Sequence, residues 1–333
     1  MPNIIGRQIE VGVGVEETRG TVQSAPEKWM KKITANIVER AEKIVDQSTR
    51  GRLEDAENAR VVRKWVEGDL EGNVHADAIG YLFLNIYGAV TSTVVAGSAV
   101  PAYDHVFSLA QNLQHPSLTF VVKDGGVQQR GFNGGMLSAL TLDASVNDFL
   151  KFKASIMARE GATNADSVTY DTEYDFIGRD IVVKVADTEG GLAGATATKV
   201  KSLSVNWKTG LIPNHVLGSY SPDDIYNGQF EIDGQFSLDY IDNTFKDLFL
   251  ADTNKYMSIT ITGAASIDED DNNPTITLIL NKVQVMDWNR EGGAADLVTS
   301  PISFKAFYNP TDAEMSTLTI RNLTAEYDEP VSA

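Results

Sequence analysis

EGDLEGNVHADAIGYLF, residues 67–83, and IDGQFSLDYIDNTFKDLF, residues 232–249, are two versions of one passage. At a displacement of 166 positions and without gaps, Gly234 falls on Gly68, Phe236 on Leu70, Asn243 on Asp77, Phe245 on Ile79, Leu248 on Leu82 and Phe249 on Phe83. Each reads as strand, turn and helix. Ile79, Leu82, Phe83 and Ile86 recur at helical spacing behind Asp77 as N-cap, with Gly88 suited to the left-handed C-terminal position. Phe245, Leu248 and Phe249 behind Asn243 form a shorter twin. These spacings predict a helix-to-sheet core at Ile79, Leu82 and Phe83 and again at Phe245, Leu248 and Phe249.

The likeness extends in both directions when gaps are allowed. Upstream, ITANI (33–37) matches LSVNW (203–207); downstream, Leu140 and Leu142 match Val283 and Val285, and FKA occurs at 152–154 and 304–306. One unit of strand, long loop, strand, helix and three strands is written twice. The twin also decides the reading of the N-terminal region. Trp29, Ile33, Ile37, Ala41 and Ile44 have helical spacing, but SLSVNWKTG alternates and stops at Gly210, so Lys31 to Ile37 is predicted as strand. The charged stretch STRGRLEDAENAR (48–60) is predicted to be an exposed loop.

Two-residue alternation recurs at Leu140–Val146, Ile181–Val185, Met257–Ile261, Ile302–Tyr308 and Leu318–Ile320. The predicted class is mainly β, with two tandem β-sandwich or barrel-forming units, each flanked by one short α-helix. The predicted organisation is an N-terminal arm at 1–30, a first unit at 31–160, a connector at 161–199, a second unit at 200–323 and a C-terminal tail at 324–333. The arm, where Ile9, Val11, Val13 and Val15 alternate, and the connector are read as segments that pair with a neighbouring chain.

Composition narrows the function. A chain of 333 residues, 42% hydrophobic, is long enough for two cores, and with no cysteine it has no disulfide, thiol nucleophile or cysteine-built metal site. The first twenty residues carry charges throughout, unlike a signal peptide, and no apolar run reaches membrane-spanning length. The formal charge of −18 opposes tight nucleic-acid binding. By itself it fits a salt-adapted surface as well as one that repels polyanions.

Residues with catalytic potential do not form a constellation. His75, His105, His115 and His215 lack metalloprotease spacing and are read as structural or surface residues. DEDDNNP (268–274) lacks the glycine and distal glutamate of a calcium loop and is read as a solvated hairpin, and Glu67, Asp69 and Glu71 as solvated carboxylates on one strand face. No nucleotide-binding glycine loop and no interleaving of aromatic with basic residues occurs. The expectation is a non-enzyme without cofactors or metals.

The motifs GVGVEETRGT, VEGDLEG, IYGAV, DHVFSLAQNLQHPSLTF, GFNGGMLSALTLDAS, GQFEIDGQFSLDY and PISFKAF occur in an order and spacing that resembles the tail tube, or major tail, proteins of long-tailed bacteriophages, from about Ile9 to Asn322. Residues 30–60 are more charged than that pattern. The resemblance implies a structural virion protein, assembled in the host cytoplasm, whose rings stack into a tube for DNA ejection. It implies self-association as the main partnership, tail tip, tape measure and terminator proteins as further partners, DNA passing without specific binding, and no membrane. Because each chain carries two units, a ring of three chains with pseudo-six-fold symmetry is expected, with a six-chain ring as the alternative. Arg50, Arg52, Glu54, Asp55 and Glu57 in the charged loop are the expected inter-ring contacts, and a wall rich in Asp and Glu is expected around the channel. The competing reading is a virion β-sandwich adhesin or receptor-binding module.

Overall fold

The computed structural model describes residues 3–23, 25–47, 51–95 and 101–327. The first half runs through β1 (Ile9–Val15), β2 (Lys28–Met30), β3 (Ile33–Val45), β4 (Ala59–Asn73), helix α1 (Ile79–Tyr87), β5 (Gly88–Val94), β6 (Tyr103–Leu109), β7 (Leu118–Asp124), β8 (Gln128–Ser145), β9 (Lys151–Ala158) and β10 (Gly161–Thr163). The second runs through β11 (Ile181–Ala186), β12 (Ala197–Thr198), β13 (Val200–Thr209), β14 (Ile212–Asn214), β15 (Asp224–Tyr226), β16 (Phe230–Asp239), helix α2 (Thr244–Leu250), β17 (Lys255–Thr262), β18 (Thr275–Trp288), β19 (Thr299–Ala306) and β20 (Ser316–Asn322). The protein is mainly β, and its sheets do not close into a barrel within the chain.

The duplicated passage sets the topology of both halves. In the first, β3 pairs with β4, β4 with β9 and β9 with β8; in the second, β13 pairs with β16, β16 with β19 and β19 with β18. Gly68 lies opposite Ile37 and Ile156, and Gly234 opposite Val205 and Phe304. Both glycines are mid-strand rather than in turns, for a shared reason. A Cβ on Gly68 would meet the Asn36 carbonyl oxygen at 2.1 Å, and one on Gly234 the Ser204 carbonyl oxygen at 2.5 Å. The ladder of each half also slips one residue at the same level, after Leu137 in β8 and after Val285 in β18. Each long strand leaves its four-stranded sheet beyond this region and enters a second layer, where β8 pairs with β7 and β10, and β18 with β17 and β20.

The FKA repeats occupy equivalent strands, but Phe304 is the counterpart of Ile156, four residues beyond Phe152. Likewise Ile37 corresponds to Val205, two residues before the matched Trp207. Slips by an even number keep every side chain on its face, so alternation alone does not detect them.

The presumed arm and connector are built into the chain's own sheets, which offer the nearest unpaired edges. β1 pairs with β7 and β2, β10 with β8, and β11 with β17. Strand β3 begins at Ile33 and continues eight residues past the predicted Ile37 to Val45, so β3 and β4 form a long hairpin beneath the charged loop. Tyr327, in the presumed tail, is fully buried with its hydroxyl donating to the Asp77 carbonyl at 2.7 Å, while 328–333 lie outside the described residues.

The two helices differ in burial. Every residue of α1 is buried, with Phe83 edge-on to Trp207 of β13 at 5.2 Å between centroids and Trp207 Nε1 donating to the Tyr87 hydroxyl at 3.1 Å. Gly80 admits the Tyr327 ring, and Gly88 takes the left-handed φ of 83° expected at the C-terminus. Asp77 does not cap α1: its carboxylate accepts from Lys28 Nζ and the Leu323 amide, each at 3.4 Å, and the N-cap is Ala78. In α2 no residue is fully buried. Phe245, Leu248 and Phe249 are half-buried instead of forming a closed core: α2 lies against β18, whereas α1 is packed against β1, β5, β6 and β8 and is touched by Trp207 of β13 and by Tyr327.

The Phe83→Ala variant is therefore expected to lose about 3–5 kcal/mol in denaturant unfolding of the isolated subunit, and Phe249→Ala about 1–2 kcal/mol, since only part of its apolar surface is covered. Equal losses would refute the difference between the helices.

A segment around Tyr174 straps the start of α1, its carbonyl accepting from the Ala76 amide at 3.2 Å. Beneath it Glu173, 3.8 Å from Lys28 Nζ, is pushed up to about 7 by burial, against the attraction of Lys28. The folded state therefore holds this proton more tightly than the unfolded state. Its contribution favours folding below the unfolded pKa and is lost as pH rises through about 7. Glu173→Gln should raise the melting temperature relative to the parent at pH 8 and give no gain at about pH 4, below the ordinary carboxylate value; equal effects at both would refute the assignment.

Candidate functional site

The two four-stranded sheets are joined edge to edge. C-terminal β8 pairs antiparallel with β13, from Ser145 opposite Ser202 to Ala139 opposite Lys208, producing the continuous order β3, β4, β9, β8, β13, β16, β19, β18. Residue alternation gives this sheet two characters. Val66, Leu70, Phe152, Ala154, Leu140, Leu142, Val205, Trp207, Ile232, Phe236, Ile302 and Phe304 face the core. The opposite face is polar and open.

On the open face Glu67, Asp69, Glu71, Asp143, Glu231 and Asp233 stand among Arg40, Lys151, Lys153, Lys208 and Lys305. Each of these cations has a carboxylate neighbour: Arg40 with Glu67 at 2.9 Å, Lys151 with Asp148 at 2.5 Å, Lys153 with Asp69 at 3.9 Å, Lys305 with Glu231 at 3.3 Å, and Lys208 with Asp233. This face thus carries both signs, with its lysines and Arg40 beside carboxylates and with Glu71 and Asp143 outside these pairs. Overall charge counts residues without regard to where they point, and much of the excess acid lies elsewhere.

A polar network crosses the seam. Thr141 Oγ1 donates to Asn206 Oδ1 at 2.7 Å, and Asn206 Nδ2 donates to Asp233 Oδ1 at 3.0 Å. Burial would raise the Asp233 carboxyl, but hydrogen bonds from Lys208 and Asn206 and the charges of Lys208 and Lys305 hold it below its ordinary value.

The ends of the joined sheet are open. Among the described residues, β3 has a ladder only to β4, and positions 284–288 of β18 only to β19. The core-facing residues beside these edges are incompletely covered. Ile33, Ala35 and Ile37 on β3 are half-buried, whereas Leu203, Val205 and Trp207 on the corresponding β13 are buried. Half-buried α2 lies against β18. The two ends therefore expose complementary parts of an interior completed at the β8–β13 seam. Sequence reasoning did not single out these edges, although the match of ITANI to LSVNW was the signal that could have marked them.

The β3–β4 hairpin extends beyond the sheet, with Ile44 and Val45 more than half exposed. Arg52, Glu54, Asp55 and Glu57 are exposed at its tip, while Arg50 lies outside the described residues. The helix-core candidates form the two separate clusters already described. His105 bonds Ser92, Asn322 and Thr324, while His115 faces the Asn85 and Ala110 carbonyls, so the two do not form a common site. Asp268 closes its own hairpin by accepting from the Asp270 and Asn272 amides, each at 3.0 Å. Among the described residues no group of three or more His, Asp or Glu is arranged to hold a metal.

No curated protein matches the chain. A family model described as phage tail tube protein matches residues 6–306, nearly the whole length, and the chain belongs to that family of structural phage tail tube proteins.

Proposed function

We propose that the protein builds rings whose stacked tube is the conduit for DNA ejection, with the polar face of the eight-stranded sheet lining the channel. The observation that carries this reading is the internal seam. The pairing that β8 receives from β13 within one chain, the end of β18 lacks until a second copy supplies its β3. Copies joined head to tail repeat one heterologous contact, which closes a ring when its rotation divides a full turn. Two units per chain favour three chains and roughly 60° per unit, and closure would leave no open inner edge.

A channel wall whose cations are already paired suits passage of a polyanion. Lysines and arginines already engaged by carboxylates gain little by exchanging those partners for phosphates, so counterion release provides weak retention. The hairpin, carrying Arg52, Glu54, Asp55 and Glu57, is assigned to contact the adjacent ring. Tail tip, tape measure and terminator proteins remain the partners assigned through the family, and the assembly is assigned to the virion tail after production in the host cytoplasm.

Native mass spectrometry and electron micrographs of the purified protein are expected to show three-chain rings and tubes. Ile37→Asp should yield a cooperatively folded monomer that does not close rings. Six-chain rings would overturn the three-chain count and leave the tube standing, whereas discrete particles from the parent would favour the adhesin reading. Replacing 47–58 by a short turn should leave rings intact and reduce stacking; unchanged tube growth would remove the hairpin from the inter-ring contact.

A further inference from the structure

Resting on the tube reading, we propose that the end of β18 in one copy pairs antiparallel with β3 of the next in the register of the internal seam, so that Asp287 stands opposite Arg40 and fixes that register. The two free edges have the layout of the two that already meet inside the chain. Leu137 lies opposite Ile156 in the first unit and Val285 opposite Phe304 in the second, and each ladder slips by one residue immediately afterwards, so Ala139 and Asp287 are equivalent. The equivalence holds as far as Asp143 opposite Lys151 and Glu291 opposite Thr299. On the receiving strand Ile37 is equivalent to Val205, and Arg40 therefore to Lys208. Within the chain Ala139 is opposite Lys208, Leu140 opposite Trp207, Thr141 opposite Asn206 and Leu142 opposite Val205. Between chains the same ladder sets Asp287 opposite Arg40, Trp288 opposite Glu39, Asn289 opposite Val38 and Arg290 opposite Ile37.

Main-chain hydrogen bonding agrees with this register. Successive residues of an antiparallel strand direct their N–H and C=O groups alternately to its two sides. The Asn289 amide donates to the Pro301 carbonyl at 3.2 Å and the Glu291 amide to the Thr299 carbonyl at 2.9 Å, so Trp288 and Arg290 direct theirs to the free edge. On β3 the Lys32 carbonyl accepts from the Asn73 amide at 3.5 Å, so Ile37 and Glu39 direct theirs away from β4 to the other free edge. The register sets these four residues against one another. A slip by one residue would break that match and reverse the faces, but a slip by two would not, and there the side chains decide. Asp287 is exposed and has no ion-pair partner among the described residues. Arg40 donates from Nε to Glu67 at 2.9 Å, and its forked guanidinium can bind a second carboxylate. A slip by two sets Asp287 opposite Glu42 in one direction and opposite Val38 in the other, so neither pairs it with a cation, and like charges directly opposite are unfavourable. The internal seam uses a different contact, Thr141 with Asn206 at 2.7 Å, while Lys208 faces the uncharged Ala139. Their equivalents Asn289 and Val38 cannot share a side-chain hydrogen bond, and the polar contact moves to Asp287 and Arg40.

The absence of native cysteine permits a direct test. A chain carrying Val38→Cys and Asn289→Cys is assembled and mildly oxidised, beside chains carrying Val38→Cys with Glu291→Cys or Asn36→Cys with Asn289→Cys, which report the two shifted registers. The first is expected to form disulfides between chains roughly tenfold faster than the others, whose residues lie on diagonals of the ladder. Asp287→Arg subunits should keep the parent's melting temperature before assembly and associate into rings about fivefold more weakly per contact, and adding Arg40→Asp should restore association. Rings in which a shifted pair cross-links fastest or no pair does, or in which Asp287→Arg associates as the parent does, overturn the register and leave the tube reading intact. A parent that forms neither rings nor tubes overturns the tube reading and the register with it.

Discussion

Antiparallel pairing of β8 with β13 is the constraint on which the rest of the structure depends. It aligns two copies of one four-stranded unit into a continuous sheet, with all their polar side chains on one side. It also places β13 over α1, where Trp207 meets Phe83 and Tyr87. Burial of such large aromatic surfaces contributes several kcal/mol, while each polar contact across the seam contributes about 1 kcal/mol. Apolar packing therefore provides most of the seam's stability, and the Thr141–Asn206–Asp233 network helps to fix its register.

The same geometry explains why the two copies have different environments in one chain. The first has a following unit that pairs with its final inner strand and adds Trp207 to the cover of its helix, whereas the second ends with α2 half-buried and the end of β18 paired on one side only. Ile33, Ala35 and Ile37 wait at the other end of the sheet. An exposed edge next to uncovered apolar side chains invites strand addition. Repetition within the chain is thus a physical template for association between chains.

Function in this reading comes from the surface left after the core is formed. The cations of the open face stand beside carboxylates, most of them across strands. Such pairs add little stability when exposed, typically below about 1 kcal/mol. Their consequence is electrostatic: they leave a smooth wall with cations already engaged, beside a protein surface that is acidic overall. The hairpin and loops carry the differences between the two units, as expected where changes do not disturb a packed sheet.

The sequence by itself determined the β class, the duplication and the alternation of polar and apolar faces. Those features are local: Gly68 and Gly234 with their helices repeat at fixed spacing, and side chains in strands change face at every residue. It also made the helical positions of Phe83 and Phe249 legible, but not their different burial, because cover comes from strands distant in sequence. The FKA repeats marked equivalent strands yet missed their register by four residues, a displacement that an alternating pattern does not distinguish. Only the tertiary structure decided which edges pair, that β1 and β11 belong to the chain's own sheets, and that the lysines of the open face stand beside carboxylates. Those outcomes depend on which side chains and unsatisfied backbone groups meet across long sequence separations, and composition and periodicity do not encode those meetings one by one.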